Sequence, residues 1–177
     1  MTILRGERCV VRPWRLADAR TLVKHANNAN VARQLRDRFP HPYTMGDART
    51  FIEMVADARP ATTFAIEVDD EAGGGIGFSP GTDVERYSAE IGYWLGEDLW
   101  GRGIAAEALR LVSEYAFEEC RLLRLFALPF ADNHQSVRVL EKAGYLREGT
   151  MQSSSVKFGM ARDQAIYAIV NPRWKVL

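Results

Sequence analysis

The sequence predicts a mixed α/β or α+β chain, a sheet with helices on both faces, and three observations carry that reading. Short runs rich in β-branched and aromatic residues alternate with stretches whose apolar residues recur every three or four positions. Glycine, proline and aspartate punctuate the boundaries between them. The 177 residues are 47% hydrophobic and 26% charged, ordinary globular usage, so a single domain spanning 1–177 with its own core is expected.

Each element follows from local chemistry. Arg8-Cys9-Val10-Val11-Arg12 reads as a first strand closed by Pro13. Leu16, Ala19, Leu22, Val23 and Ala26 share one helical face, and a short helical piece is expected around Val31 to Leu35, before the loop 37–43. Thr44, with Asp47 three positions on, has the pattern of an N-cap; it opens a helix that buries Phe51, Ile52 and Val55 and that Pro60 stops. Thr62 to Val68 is a strand, Asp69 to Gly75 a turn, and Ile76-Gly77-Phe78 the returning strand of a hairpin. A strand at Ser88 to Leu95, a helix at Ile104 to Glu119 and a strand at Arg124 to Leu128 come next. A helix at Asn133 to Ala143 stops at Gly144, and strands around Tyr145 to Met151 and Gln164 to Val170 finish the chain.

Lys+Arg and Asp+Glu both total 23, so the chain lacks the net positive charge of a nucleic-acid binder, and no nucleic-acid partner is expected. Residues 61–100 hold nine acidic side chains against one basic, which reads as a solvated face. Charged residues interrupt the first twenty positions and no apolar run approaches a membrane span, so a cytoplasmic protein with no membrane partner is expected. Cys9 and Cys120 read as reduced packing residues, and with His25 and His134 they form no metal-ligand spacing; no metal is expected.

The chemistry concentrates between Ile91 and Glu107, where a strand runs into a small-residue turn that opens a helix. Ile104, Ala108, Leu111 and Tyr115, with Ala105, Leu109, Val112 and Ala116 beside them, make its apolar stripe and put its N-terminus near Gly103. The first amides of such a helix have no intrahelical partner, and Gly101 and Gly103 let an anion approach them without a Cβ in the way. Three readings stand on the turn alone. Gly101-x-Gly103-x-x-Ala106 formally fits a dinucleotide fingerprint but does not follow a first strand; a nucleotide-triphosphate loop needs Gly-Lys-Ser/Thr, which is absent; and the plain alternative is an ordinary strand-to-helix turn.

Taken with Asn133 through Tyr145, the turn resembles the GNAT acetyltransferase superfamily. Val11-Arg12-Pro13-Trp14, the loop Phe39-Pro40-His41-Pro42-Tyr43-Thr44 and the strand Ala89 to Leu95 resemble its ribosomal-protein N-terminal acetyltransferase (RimJ/RimL-like) branch, from about Val10 to Val170. The resemblance implies a mixed, mostly antiparallel central sheet whose strands splay at the acetyl-CoA site, and acetyl-CoA as co-substrate. It implies the pyrophosphate on the backbone of Gly101, Arg102, Gly103, Ile104 and Ala105, and the pantetheine arm along Tyr93 and Leu95, whose N–H polarises the thioester carbonyl. Trp100 stands where the family pattern R/Q-x-x-G-x-G/A has Arg or Gln. Asn133 fits the position that bonds the pantetheine arm, and reads equally as an N-cap.

Many members carry a tyrosine acid seven residues after that Asn; here the position is Leu140. Ser136 fits the serine that the RimL-like branch offers near the thiol, and otherwise is a first-turn helix residue. Glu90, on the strand leading to the thioester site, is the candidate base or a carboxylate paired with an arginine such as Arg86 or Arg12. Phe39, His41 and Tyr43 are candidates for the acceptor-side lip, or a structural staple. The resemblance thus implies transfer of an acetyl group to a primary amine, a protein N-terminus or a small amine, by a monomer or homodimer. An α-amine of pKa about 7.8 is roughly one-third neutral near pH 7.5, a lysine of about 10.4 only about one part in a thousand, so a weak catalytic inventory suits an α-amino group. A non-catalytic acetyl-CoA sensor and a polyamine or aminoglycoside acetyltransferase are the alternatives.

Overall fold

A computed structural model describes residues 2–56, 58 and 60–175. Its strands are β1 (Leu4–Arg5), β2 (Val10–Arg12), β3 (Thr63–Val68), β4 (Glu71–Pro80), β5 (Ser88–Leu95), β6 (Arg124–Ala127), β7 (Leu146–Lys157) and β8 (Met160–Val170). They form an 8-stranded sheet in the order β1-β2-β3-β4-β5-β6-β8-β7. Neighbours run antiparallel except β5 and β6, which are parallel and joined across the sheet by α4 (Ile104–Glu118). The other helices are α1 (Ala19–Ala26), α2 (Ala29–Ala32), α3 (Met45–Ala56) and α5 (His134–Lys142).

The helices cover opposite faces of the sheet. Phe64, Ile66, Ile76, Phe78, Ala89 and Ile91 pack with the apolar stripe of α4 and with Leu140 and Ala143 at α5. On the other face Trp14, Ala65, Ala72 and Trp94 pack with Ala19, Leu22 and Ala26 of α1 and Ala48 and Ile52 of α3. The period-2 alternation of the strands divides the two clusters.

Several boundaries differ from the sequence reading, each for a physical reason. The hairpin turn is only Asp69-Asp70, both left-handed at φ 50° and 63°, as two-residue hairpin loops require. The glycines that follow belong to β4, where the partners approach too closely for side chains. A Cβ on Gly73 would stand 2.3 Å from Leu99 Cδ1, one on Gly74 2.4 Å from the Trp94 carbonyl oxygen, and one on Gly75 2.8 Å from Trp94 Nε1. The expected stripe of the first helix loses Leu16, which is 61% exposed because Leu16–Asp18 form a 3-10 turn with a different period. The next helical piece starts earlier than expected, at Ala29, because Asn28 caps it by accepting from the Asn30 and Val31 amides. Thr44 and Asp47 do form reciprocal caps: the Asp47 N–H donates to Thr44 Oγ1 at 3.2 Å and the Thr44 N–H to Asp47 Oδ2 at 2.8 Å.

Arg12 fastens β2 to β3 and to the turn before α1. Only 3% exposed, it donates to both oxygens of Asp18, at 2.7 and 2.9 Å, and to Glu67 on β3. Removing the guanidinium strands two carboxylates beside an apolar core. Arg12→Met is therefore expected to destabilise the fold by about 3 kcal/mol, measured by urea unfolding; a loss below ~1 kcal/mol would refute the buried-network reading.

Candidate active site

The site begins where the parallel ladder stops. β5 and β6 pair at Ser88–Arg124, Ala89–Leu125 and Glu90–Phe126, whereas β5 runs on to Leu95, so Ile91–Leu95 have no β6 residue alongside. The Gly96 N–H donates to the Gly73 carbonyl on β4 at 2.9 Å. Strand alternation then turns the Leu95 N–H and C=O away from β4, into the opening. That carbonyl accepts from Trp100 Nε1 at 3.0 Å, leaving the Leu95 N–H as the donor aimed at the gap. Trp100 thereby ties the end of β5 to the turn that opens α4.

At that turn Gly101 and Gly103 hold φ of 76° and 77°, conformations side chains resist, and Gly103 is the N-cap with no side-chain hydrogen bond to the helix. The first amides of α4 are thus free of a side-chain cap. Two half-exposed arginines flank them: Arg102, 3.7 Å from Asp69, and Arg8, whose Nε lies 3.4 Å from where a Gly103 Cβ would stand. Open amides, cation flanks and no Cβ suit a diphosphate.

Arg8 was not visible as a site residue in the sequence because a carboxylate a hundred positions away puts it there. Glu107, in the first turn of α4, is 7% exposed and accepts from the backbone N–H groups of Glu7, Arg8 and Cys9 at 3.1, 2.7 and 3.1 Å. Gly6 allows the approach, since a Cβ there would lie 2.3 Å from Glu107 Oε2. Burial pushes the Glu107 carboxyl up, yet the Arg8 and Glu7 amides outweigh it and hold it below the ordinary carboxylate range. Burial and the Glu107 charge push the Cys9 thiol up to about 12, so it is a packing group.

Across the opening stands α5. Asn133 is its N-cap, its Oδ1 accepting the Ser136 N–H at 3.1 Å, which leaves the amide NH2 for other partners. Ser136 Oγ lies 2.7 Å from the Tyr93 hydroxyl, which also donates to the Ser136 carbonyl at 3.1 Å. Burial raises the Tyr93 phenol well above its usual value despite that bond to Ser136, so it stays a neutral donor. Leu140 is fully buried in the core, so the hydroxyl contact between these elements comes from the strand.

Glu90, Gly92 and Trp94 alternate onto the opposite face of β5, toward α1 and α3. Glu90 accepts from Arg36 in the segment after α2, rather than from Arg86 or Arg12, the partners expected from the sequence: Arg86 donates to the Asp83 carbonyl, and Arg12 is taken by Asp18 and Glu67. Phe39 packs edge-on to Trp94 with ring centroids 5.3 Å apart. Tyr43 lies in the α1–α3 core at 5% exposure, where burial pushes its phenol up to about 12, and so is not at a lip; His41 is exposed. Among the described residues no His, Cys, Asp and Glu cluster of three or more converges for a metal ion, and no helix is long and apolar enough to cross a membrane.

A splayed strand pair beside a glycine-opened helix is the architecture of an acetyltransferase class, and solved structures match it. Mycobacterium smegmatis RimJ in complex with CoA-disulfide is 25% identical with a TM-score of 0.84, covering 96% of this chain and 87% of that one. Residues 8–146 match the acetyltransferase (GNAT) domain. The chain belongs to the GNAT acetyltransferase family and is an N-acetyltransferase. The probable N-acetyltransferase YjcK of Bacillus subtilis is 32% identical, covering 96% of this chain and 98% of that protein. The ribosomal-protein-serine acetyltransferase of Escherichia coli is 32% identical over 61% of this chain and 60% of its own. The spermidine N(1)-acetyltransferase of the same organism is 26% identical over 80% and 74%.

The Glu107 contacts carry their own test. A carboxyl held low in the folded state contributes stability above its unfolded pKa and loses it as pH falls through the folded value. Glu107→Gln is expected to cost about 2 kcal/mol at neutral pH, and the gap from the parent to close as pH drops below the ordinary carboxylate range. A pH-independent gap in thermal unfolding would refute the charged-acceptor role.

Proposed function

We propose that this enzyme acetylates the α-amino group of a protein or peptide N-terminus, by direct attack on acetyl-CoA in a ternary complex, with residues 1–177 acting as one catalytic domain. The observation that carries the reading is the sparse chemistry at the opening: backbone N–H groups of the uncovered β5 edge, one hydroxyl pair, and one nearby carboxylate already held by Arg36. Such a site abstracts a proton poorly and suits an amine that is already partly neutral; an α-amine is, by a few hundredfold over a lysine. The likeness to a ribosomal-protein-serine acetyltransferase supports a protein acceptor.

In this reading the α4 amides of Ile104 and Ala105, with Arg102 and the glycines Gly101 and Gly103, hold the diphosphate, and Tyr93, Leu95 and the Asn133 amide hold the pantetheine arm. Acetyl-CoA supplies, when bound, an acyl carbon activated as a thioester. The Leu95 N–H donates to the carbonyl oxygen as negative charge builds there. The neutral amine forms the new C–N bond as the C–S bond breaks. Ser136, oriented by the Tyr93 hydroxyl, donates its proton to the departing sulfur and regains one from water. The proton lost by the amine leaves through Glu90 to solvent.

A polyamine acceptor has support in the spermidine N(1)-acetyltransferase likeness and in an open cavity of about 410 Å³ lined by Lys24, His25, Asn28, Glu97 and Asp98. Its carboxylates are occupied, however. Glu97 accepts from Asn28 and Asn30, and Asp98 lies 3.2 Å from His25 Nδ1. Lys24 adds a cation to the same lining, which works against a polycation.

Mass spectrometry on peptides that carry both a free N-terminus and an internal lysine, with spermidine in parallel, is expected to find acetyl on the α-amine; acetylation of lysine or spermidine alone would overturn the acceptor assignment. Tyr93→Phe is expected to lower kcat about tenfold while acetyl-CoA affinity falls by about twofold at most, and kcat at the parent value would remove the hydroxyl pair from the mechanism.

A further inference from the structure

Gly92 is a glycine that the fold does not ask for. Its neighbours in the β4–β5 ladder are glycines by necessity: besides Gly74 and Gly75, a Cβ on Gly77, directly across from Gly92, would lie 2.8 Å from the Thr62 carbonyl oxygen. A Cβ on Gly92 meets nothing within 4 Å, the residue is exposed, and its φ lies outside the positive region that only glycine favours. In a strand interior such a residue costs stability, because it has no side chain to pack and a freer unfolded backbone. Something other than packing therefore accounts for the open space.

The neighbours say what the space is for. Gly92 sits between Glu90 and Trp94 on the face toward α1 and α3, while Tyr93 meets Ser136 on the other face and the free Leu95 N–H points in the plane of the sheet into the gap between them. Its position lies within Ile91–Leu95, the stretch of β5 that β6 leaves uncovered. Arg36 bounds the space at Glu90 and Phe39 bounds it at Trp94. The Glu90–Arg36 ion pair at one end and the Phe39 and Trp94 rings at the other suit a primary amine carried on an apolar or peptide chain.

We propose that Gly92 is the floor of the acceptor channel: the amine-bearing end of the acceptor lies over it, between Glu90 and Trp94, and the missing side chain sets what can reach the thioester. The proposal rests on the amine-acetyltransferase reading but not on which amine is used.

The test is Gly92→Val, with Gly92→Ala as a milder second variant in the same open space. Both are expected to unfold at the parent's temperature or above, since a strand takes either side chain without a clash. Acetyl-CoA affinity by calorimetry is expected to hold within about twofold, while kcat/KM for the acceptor falls about tenfold or more for Val and less for Ala. The panel holds α-amine peptides, lysine peptides and spermidine, and the comparison is made on whichever the parent acetylates. An α-amine assignment can thus fail while the channel stands. Parent-like kcat/KM for that acceptor in Gly92→Val, or an equal loss of acetyl-CoA affinity, would overturn the proposal.

Discussion

The parallel pairing of β5 with β6 ends at Glu90–Phe126, five residues before β5 does, and the functional geometry depends on that early stop. Were the ladder to continue, a second strand would lie along Ile91–Leu95 and close the opening. Because it stops, alternation points the Leu95 N–H into a gap rather than at a neighbour. An unpaired strand edge is costly and a hazard, and the protein satisfies part of it locally, with the Trp100 indole on the Leu95 carbonyl and the N-terminal end of α5 facing Tyr93.

The helix that carries the diphosphate-type turn is held in place electrostatically as well as by packing. Its stripe of small and branched residues buries against β2, β4 and β5, which fixes its axis. Glu107 then gathers three amides of the loop between β1 and β2, and that loop brings Arg8 alongside Gly103. An acidic residue in the first turn favours the helix dipole and at the same time recruits a cation to the anion end of the site. Arg12 acts similarly on the far face, where one guanidinium closes the β2–β3 pair onto the turn before α1.

Much of the site was legible in the chain order. Gly101 and Gly103, and Asn133 as an N-cap, stand on short local patterns whose geometry is set within a few residues, while Leu95 and Ser136 were reached through the family resemblance. Residues whose roles depend on distant partners were not legible there. Tyr93 was readable only as part of a strand; that its hydroxyl meets Ser136, 43 positions on, depends on how α5 crosses the sheet. Glu90 was legible as a carboxylate near the site, yet its partner Arg36, 54 positions earlier, is set by the path of the chain after α2. Tyr43 was grouped with Phe39 and His41 by adjacency, and tertiary packing sorts them: Phe39 lies against both Trp94 and the Tyr43 ring, with centroids 5.3 and 5.0 Å away, Tyr43 is in the core, and His41 is outside.

By itself the sequence determined the element types, the helix caps at Thr44 and Asn133, the glycine-opened start of α4 and the lack of the net positive charge that a nucleic-acid binder carries. These rest on period, capping chemistry and composition, which act over a few residues. The tertiary structure alone decided which glycines are packing requirements, which face each β5 side chain takes, and which charges pair. A glycine run reads as a turn until the neighbouring strand is seen to need the space, as Gly73, Gly74 and Gly75 show. Gly92 differs from them only in that nothing fills the space beside it. That distinction exists only once distant segments are brought together, because a missing side chain has meaning only relative to what would have touched it.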